Sequence, residues 1–92
     1  MTILSWNYRG LGNLQTVKAL EKVVKKEEPT IVFLMETKSN TELMKNVQER
    51  CKLKHGFIVP SNGKNGGLAL LWREDTIVDV QTFSQTHIDA MV

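Results

Sequence analysis

The chain has 92 residues, 41% of them hydrophobic and 24% charged, and its formal net charge is +2. This composition excludes a disordered polyelectrolyte, and the length allows one domain with a small core. The charge is uneven: residues 1–54 hold ten Lys/Arg against six Asp/Glu, and residues 55–92 hold two against four.

Thr2 to Trp6 reads as a short strand, followed by the turn-forming Gly10-Leu11-Gly12-Asn13. Leu14, Val17, Leu20, Val23 and Val24 then recur at three and four residues, with Lys18, Glu21, Lys22 and Lys25 on the other face. That period predicts an amphipathic helix capped by Asn13 and closed by Pro29. Thr30 to Met35 is a continuous, β-branched apolar run, the pattern of a strand buried on both faces, and it stops at Glu36. Ser39 and Glu42 have capping-box spacing, which predicts a second helix turning Leu43, Met44, Val47 and Cys51 inward. Cys51 is the single cysteine, which excludes an internal disulfide and a thiolate zinc cluster. Its expected role is that of a small core residue.

Beyond His55-Gly56 the texture changes to short strands. Phe57-Ile58-Val59 leads into a loop, Ser61 to Gly66, whose Gly and Asn residues tolerate positive φ. Gly67 to Trp72 reads as a second strand buried on both faces. Arg73-Glu74-Asp75 makes a polar turn, and the segments Thr76 to Phe83 and His87 to Val92 alternate. The expected order is β-α-β-α-β-β-β-β, an α/β arrangement. A last alternating strand with neither turn nor cap reads as a fold cut short, so residues 1–92 are expected to form part of a domain. Two-sided strands need cover on both faces; the helices supply one cover, and no remaining segment is expected to supply the other.

A strand, a helix and a second strand in one sheet form a right-handed parallel crossover, which brings the carboxyl ends of the first two strands to one edge. Asn7 and Glu36 become neighbours there, at the place where α/β proteins build their sites. A carboxylate beside a carboxamide is a hard-oxygen donor pair. Mg²⁺ prefers such donors and is commonly held by one or two carboxylates together with water and phosphate. Glu36 is therefore a candidate metal ligand, and Asn7 a supporting ligand or substrate contact. The alternatives are a solvated residue ending a strand and a turn-forming amide.

The stretches ILSWNYRGLGN (3–13), PTIVFLMETK (29–38), GKNGGLALLW (63–72) and THIDAMV (86–92) together resemble the N-terminal part of the endonuclease domain of plant LINE-type non-LTR retrotransposons. That domain belongs to the endonuclease/exonuclease/phosphatase superfamily, with the apurinic-type endonucleases and DNase I. The resemblance implies a four-layer, DNase I-like α/β sandwich of two mixed sheets flanked by helices, of which this chain would be a truncated portion. It also implies Mg²⁺-dependent hydrolysis of phosphodiester bonds in DNA and a nuclear location. By the same resemblance Glu36 binds the metal and Asn7 sits beside it.

The sequence departs from the family in what would complete the chemistry. It contains no Asp-x-Asn element and no Ser-Asp-His element. General bases near neutral pH are most often histidines. The two present, His55 at a helix end and His87 in the last strand, are expected away from the metal edge. Tyr8 stands where many relatives carry Cys, and Leu14-Gln15 where they often carry Pro and a basic residue. The expectation is an endonuclease fragment that keeps one metal-binding edge and is not a nuclease by itself, with any complementing chain undetermined.

Two other readings follow from the residues. A non-catalytic module would hold nucleic acid on Lys18, Lys22, Lys25 and Lys26, although Trp6 and Trp72 fall in strands expected to be buried and so leave no stacking platform. A translated remnant without function would be unstable, with strand edges and an apolar sheet face open to aggregation. No leader opens the sequence, and no apolar run approaches the roughly 18 residues of a membrane-spanning helix, so an intracellular chain without membrane contact is expected.

Overall fold

The computed structural model describes residues 2–7, 14–62, 66–84 and 87–92. The Asn13 cap, the turn at 10–12, Tyr8 and the loop centre at 63–65 lie outside the described residues.

The elements run β1 (Ile3–Asn7), α1 (Leu14–Glu27), β2 (Ile31–Met35), α2 (Thr41–Arg50), β3 (His55–Val59), β4 (Leu68–Trp72), β5 (Asp79–Phe83) and β6 (Ile88–Met91). The chain is thus mixed α/β with two sheets and two helices, in the order expected from the sequence. The first sheet has strand order β1-β2-β4-β3, and β5 and β6 form a separate two-stranded sheet. β1 runs parallel to β2, while β4 is antiparallel to both β2 and β3.

The registers divide the larger sheet into two faces, because successive side chains point to opposite sides of a strand. Leu4, Trp6, Val32, Leu34, Ala69 and Leu71 look toward the helices, where they meet Val17, Leu20 and Val24 of α1 and Met44 and Val47 of α2. Leu20, Val32, Leu34, Met44 and Leu71 are fully buried there. Gly56, on the same face, lies under α2: a Cβ at that position would come within 2.7 Å of Leu71 Cδ2 and 2.9 Å of Gln48 Oε1.

The other face carries Ile31, Phe33, Met35, Leu68, Leu70, Trp72, Phe57 and Val59. Ile31, Val59, Leu68 and Leu70 are buried, while Phe33, Met35, Phe57 and Trp72 are half-buried. Phe83 of β5 stands edge-on to Phe57, with ring centroids 4.9 Å apart. The expectation that no remaining segment covers this face is therefore corrected in part: the β5–β6 hairpin reaches it through Phe83. Much of the hairpin stays exposed, including Phe83 and Met91.

Both helices end without glycine. α1 ends with Glu28 at φ 46°, its N–H donating to Val24 O, immediately before Pro29. α2 ends in a Schellman motif with Lys52 at φ 58°: Lys52 N–H donates to Glu49 O and Leu53 N–H to Gln48 O. The start of α2 differs from the capping box expected at Ser39. Asn40 is the cap, and its side chain accepts from Leu43 N–H at 2.9 Å. Leu43, expected inward, is 44% exposed at the margin of the face formed by Met44, Val47 and Cys51, which are buried as expected.

Burial pushes the Cys51 thiol up from 9.0 to about 11, and the Glu21 carboxylate adds to this while Arg50 opposes it. Glu21 and Arg50 themselves form an ion pair between α1 and α2. None of the described helices is long and apolar enough to cross a membrane.

Candidate functional site

β1 and β2 form the only parallel strand pair among the described residues, and Asn7 stands opposite Met35 in its register. Adjacent strands lie about 4.8 Å apart. Glu36, the next residue, therefore leaves β2 beside the end of β1. Asn7 and Glu36 are both exposed, so their polar groups face water at the shared carboxyl edge. The neighbourhood expected from the crossover is present.

The segment that carries Glu36 is strained. Glu36 has φ 53° and Lys38 φ 51°, left-handed values that cost a non-glycine residue roughly 1 to 2 kcal/mol each. Between them Thr37 is fully buried, and its Oγ1 has no hydrogen-bond partner among the described residues. An unsatisfied buried hydroxyl costs a further ~1 to 3 kcal/mol. The backbone offsets part of this. Thr37 N–H donates to Gly67 O at 3.1 Å and Lys38 N–H to Gly66 O at 2.8 Å. Ser39 Oγ donates to Thr37 O at 2.8 Å, and Ser61 N–H to Ser39 O at 3.0 Å.

Glycine is required on the accepting side. Gly66 and Gly67 have φ of 74° and 95°. A Cβ on Gly67 would fall 2.3 Å from Thr37 Oγ1 and 3.1 Å from Lys38 N. Gly67, expected as the first residue of a strand, instead precedes β4 as half of this bracing pair. Sequence reasoning missed Thr37, Gly66 and Gly67 as parts of the site; the adjacent glycines directly before an apolar run were the available signal.

The donor chemistry fits a hard divalent cation. Glu36 offers a carboxylate and Asn7 an amide oxygen, and Mg²⁺ accepts such a partial protein shell completed by water and phosphate. Among the described residues no three His, Cys, Asp or Glu side chains converge. The edge therefore does not resemble the closed four-ligand cage of a structural zinc site.

His55 does not lie at this edge. His55 opens β3 opposite Trp72, with ring centroids 6.1 Å apart. It sits at the other end of the sheet from the Asn7, Met35 and Val59 row, four residues or roughly 13 Å along the strand. His87 precedes β6, and its Nδ1 lies 2.6 Å from Ser84 Oγ in the hairpin turn. Lys18, Lys22, Lys25 and Lys26 are exposed on α1. Trp6 and Trp72 are half-buried on opposite faces of the sheet. No family model and no curated protein matches the chain.

Proposed function

We propose that the Asn7–Glu36 edge is the metal-holding part of a Mg²⁺-dependent, phosphodiester-hydrolysing site of the endonuclease/exonuclease/phosphatase type, related to the LINE-type endonucleases and built on part of a DNase I-like sandwich. The observation that supports this reading most is the β1–β2 register, which brings Asn7 beside the residue preceding Glu36 at a parallel carboxyl edge. Glu36 is the metal ligand. Asn7 supports the metal shell or contacts the phosphate of DNA. A bound Mg²⁺ would supply charge neutralisation at the phosphate.

The chain's own contribution is binding and orientation. Hydrolysis also needs an activated water and help for the leaving oxygen. The sequence holds no Asp-x-Asn element and no Ser-Asp-His element, and His55 lies at the opposite end of the sheet from this edge. The function assigned to this chain is therefore metal and phosphate binding without strand cleavage.

Mn²⁺, titrated into the purified chain and followed by electron paramagnetic resonance, tests the reading. Binding that is lost in Glu36→Ala and weakened in Asn7→Ala is expected, with no nicking of supercoiled DNA by the wild-type chain. Mn²⁺ affinity equal in wild type and Glu36→Ala would overturn the metal assignment, and Glu36-dependent nicking would overturn the inactivity.

A further inference from the structure

The turn that presents Glu36 contains two left-handed residues around a fully buried threonine, and inside the turn Ser39 Oγ donates to Thr37 O. Further restraint lies across the sheet edge, on the segment entering β4. Thr37 and Lys38 donate their N–H groups to Gly67 O and Gly66 O, while Thr37 Oγ1 fills the space that a side chain on Gly67 would take. Residues in sparsely populated backbone conformations persist only where their surroundings over-determine them, and they concentrate at ligand sites. Here two hydrogen bonds and one close contact come from a glycine pair.

We propose that Thr37 and Gly67 are positioning residues for the Glu36 carboxylate, with the Gly67 backbone and the buried Thr37 side chain together holding Glu36 left-handed beside Asn7. The proposal rests on the metal-edge reading above. Any side chain at position 67 must displace Thr37, and Glu36 precedes Thr37 by one residue. Released from that contact, Glu36 returns toward the extended region, and its carboxylate turns away from the neighbouring strand. The substitution therefore acts on the ligand's direction without touching the ligand.

The test compares two glycines in the purified chain. Gly67→Ala intrudes on Thr37 Oγ1, whereas Gly56→Ala intrudes on Leu71 and Gln48 beneath α2, away from the edge. Both are expected to lower Tm. Only Gly67→Ala is expected to weaken Mn²⁺ binding, by about 10- to 100-fold, the usual effect of losing a group that orients a metal ligand. Thr37→Ala, which adds no atom, is expected to fold and to weaken Mn²⁺ binding less. The double variant should lose less than the two single losses combined, because the clashing Oγ1 is gone.

Mn²⁺ affinity unchanged in both Gly67→Ala and Thr37→Ala would overturn the proposal; where Gly67→Ala does not fold, Thr37→Ala alone decides it. A wild-type chain that binds no Mn²⁺ would instead overturn the metal reading. The ¹³Cα shift of Glu36 then decides the positioning claim: loss of its left-handed signature in Gly67→Ala or Thr37→Ala, with retention in Gly56→Ala, supports the claim, and retention in all three overturns it.

Discussion

The two faces of the four-stranded sheet share the same strands and differ in what they meet. Leu34 and Phe33 are consecutive in β2. Leu34 is fully buried against the helices, while Phe33 looks the other way and is half-buried. The helix face is closed by residues from both helices, whereas on the opposite face Phe57 meets Phe83 of the hairpin and Phe33, Met35 and Trp72 stay half-buried. An apolar strand reports that both faces want cover; it does not report how much cover each face receives.

The sharpest way to break this comparison is to truncate both neighbours. Leu34→Ala should cost about 2 to 5 kcal/mol, because the closed face cannot collapse around the cavity. Phe33→Ala should cost less, roughly 1 to 2 kcal/mol, since part of that side chain already faces water. Urea unfolding of both variants measures the gap, and equal losses would mean that the two faces are equally packed.

Cys51 sharpens the same comparison through pH. Its thiol, buried at the helix side, is held at about 11 instead of 9.0. The folded state keeps this proton at a pH where the unfolded chain releases it. The contribution is therefore intact below pH 9 and lost as pH rises toward about 11, at no more than ~1.4 kcal/mol per pH unit. Denaturation at a series of alkaline pH values should show that slope in the wild type and a shallower one in Cys51→Ala.

Smaller effects belong to the helix ends. Asn40→Ala removes the side-chain acceptor of Leu43 N–H and should cost about 1 kcal/mol. Unchanged stability in Asn40→Ala would remove Asn40 from that role. The Glu21–Arg50 pair is partly exposed, so Arg50→Gln should change stability by ~0.5 kcal/mol or less, and less still in high salt. A double-mutant cycle with Glu21→Gln measures the coupling.

Period and composition made the order of elements legible, and with it the shared carboxyl edge of β1 and β2. Less legible was whatever depends on contact between distant segments. Ser39 and Glu42 satisfy the capping-box spacing, yet Ser39 is drawn inward to Thr37 O, and Asn40 takes the cap. No local pattern encodes that choice. The left-handed Glu36 and Lys38 were invisible for the same reason: their conformation is set by Gly66 and Gly67, which arrive from beyond α2 and β3. In β5 the regular alternation of the sequence conceals a register shift between Val80 and Thr82.

Among the described residues β1 is an edge strand, paired only with β2 in its sheet, and it reaches that partner across the whole of α1. Its docking is a long-range event that follows loop closure, and edge strands are among the first parts of a sheet to open. Asn7 is therefore present at the site only while β1 is docked. A ligand that spans Asn7 and Glu36 must favour the docked state by mass action. The amide protons of β1 become a gauge of occupancy, exchanging more slowly as the ligand concentration rises while those of β3, on the opposite edge, keep their rate.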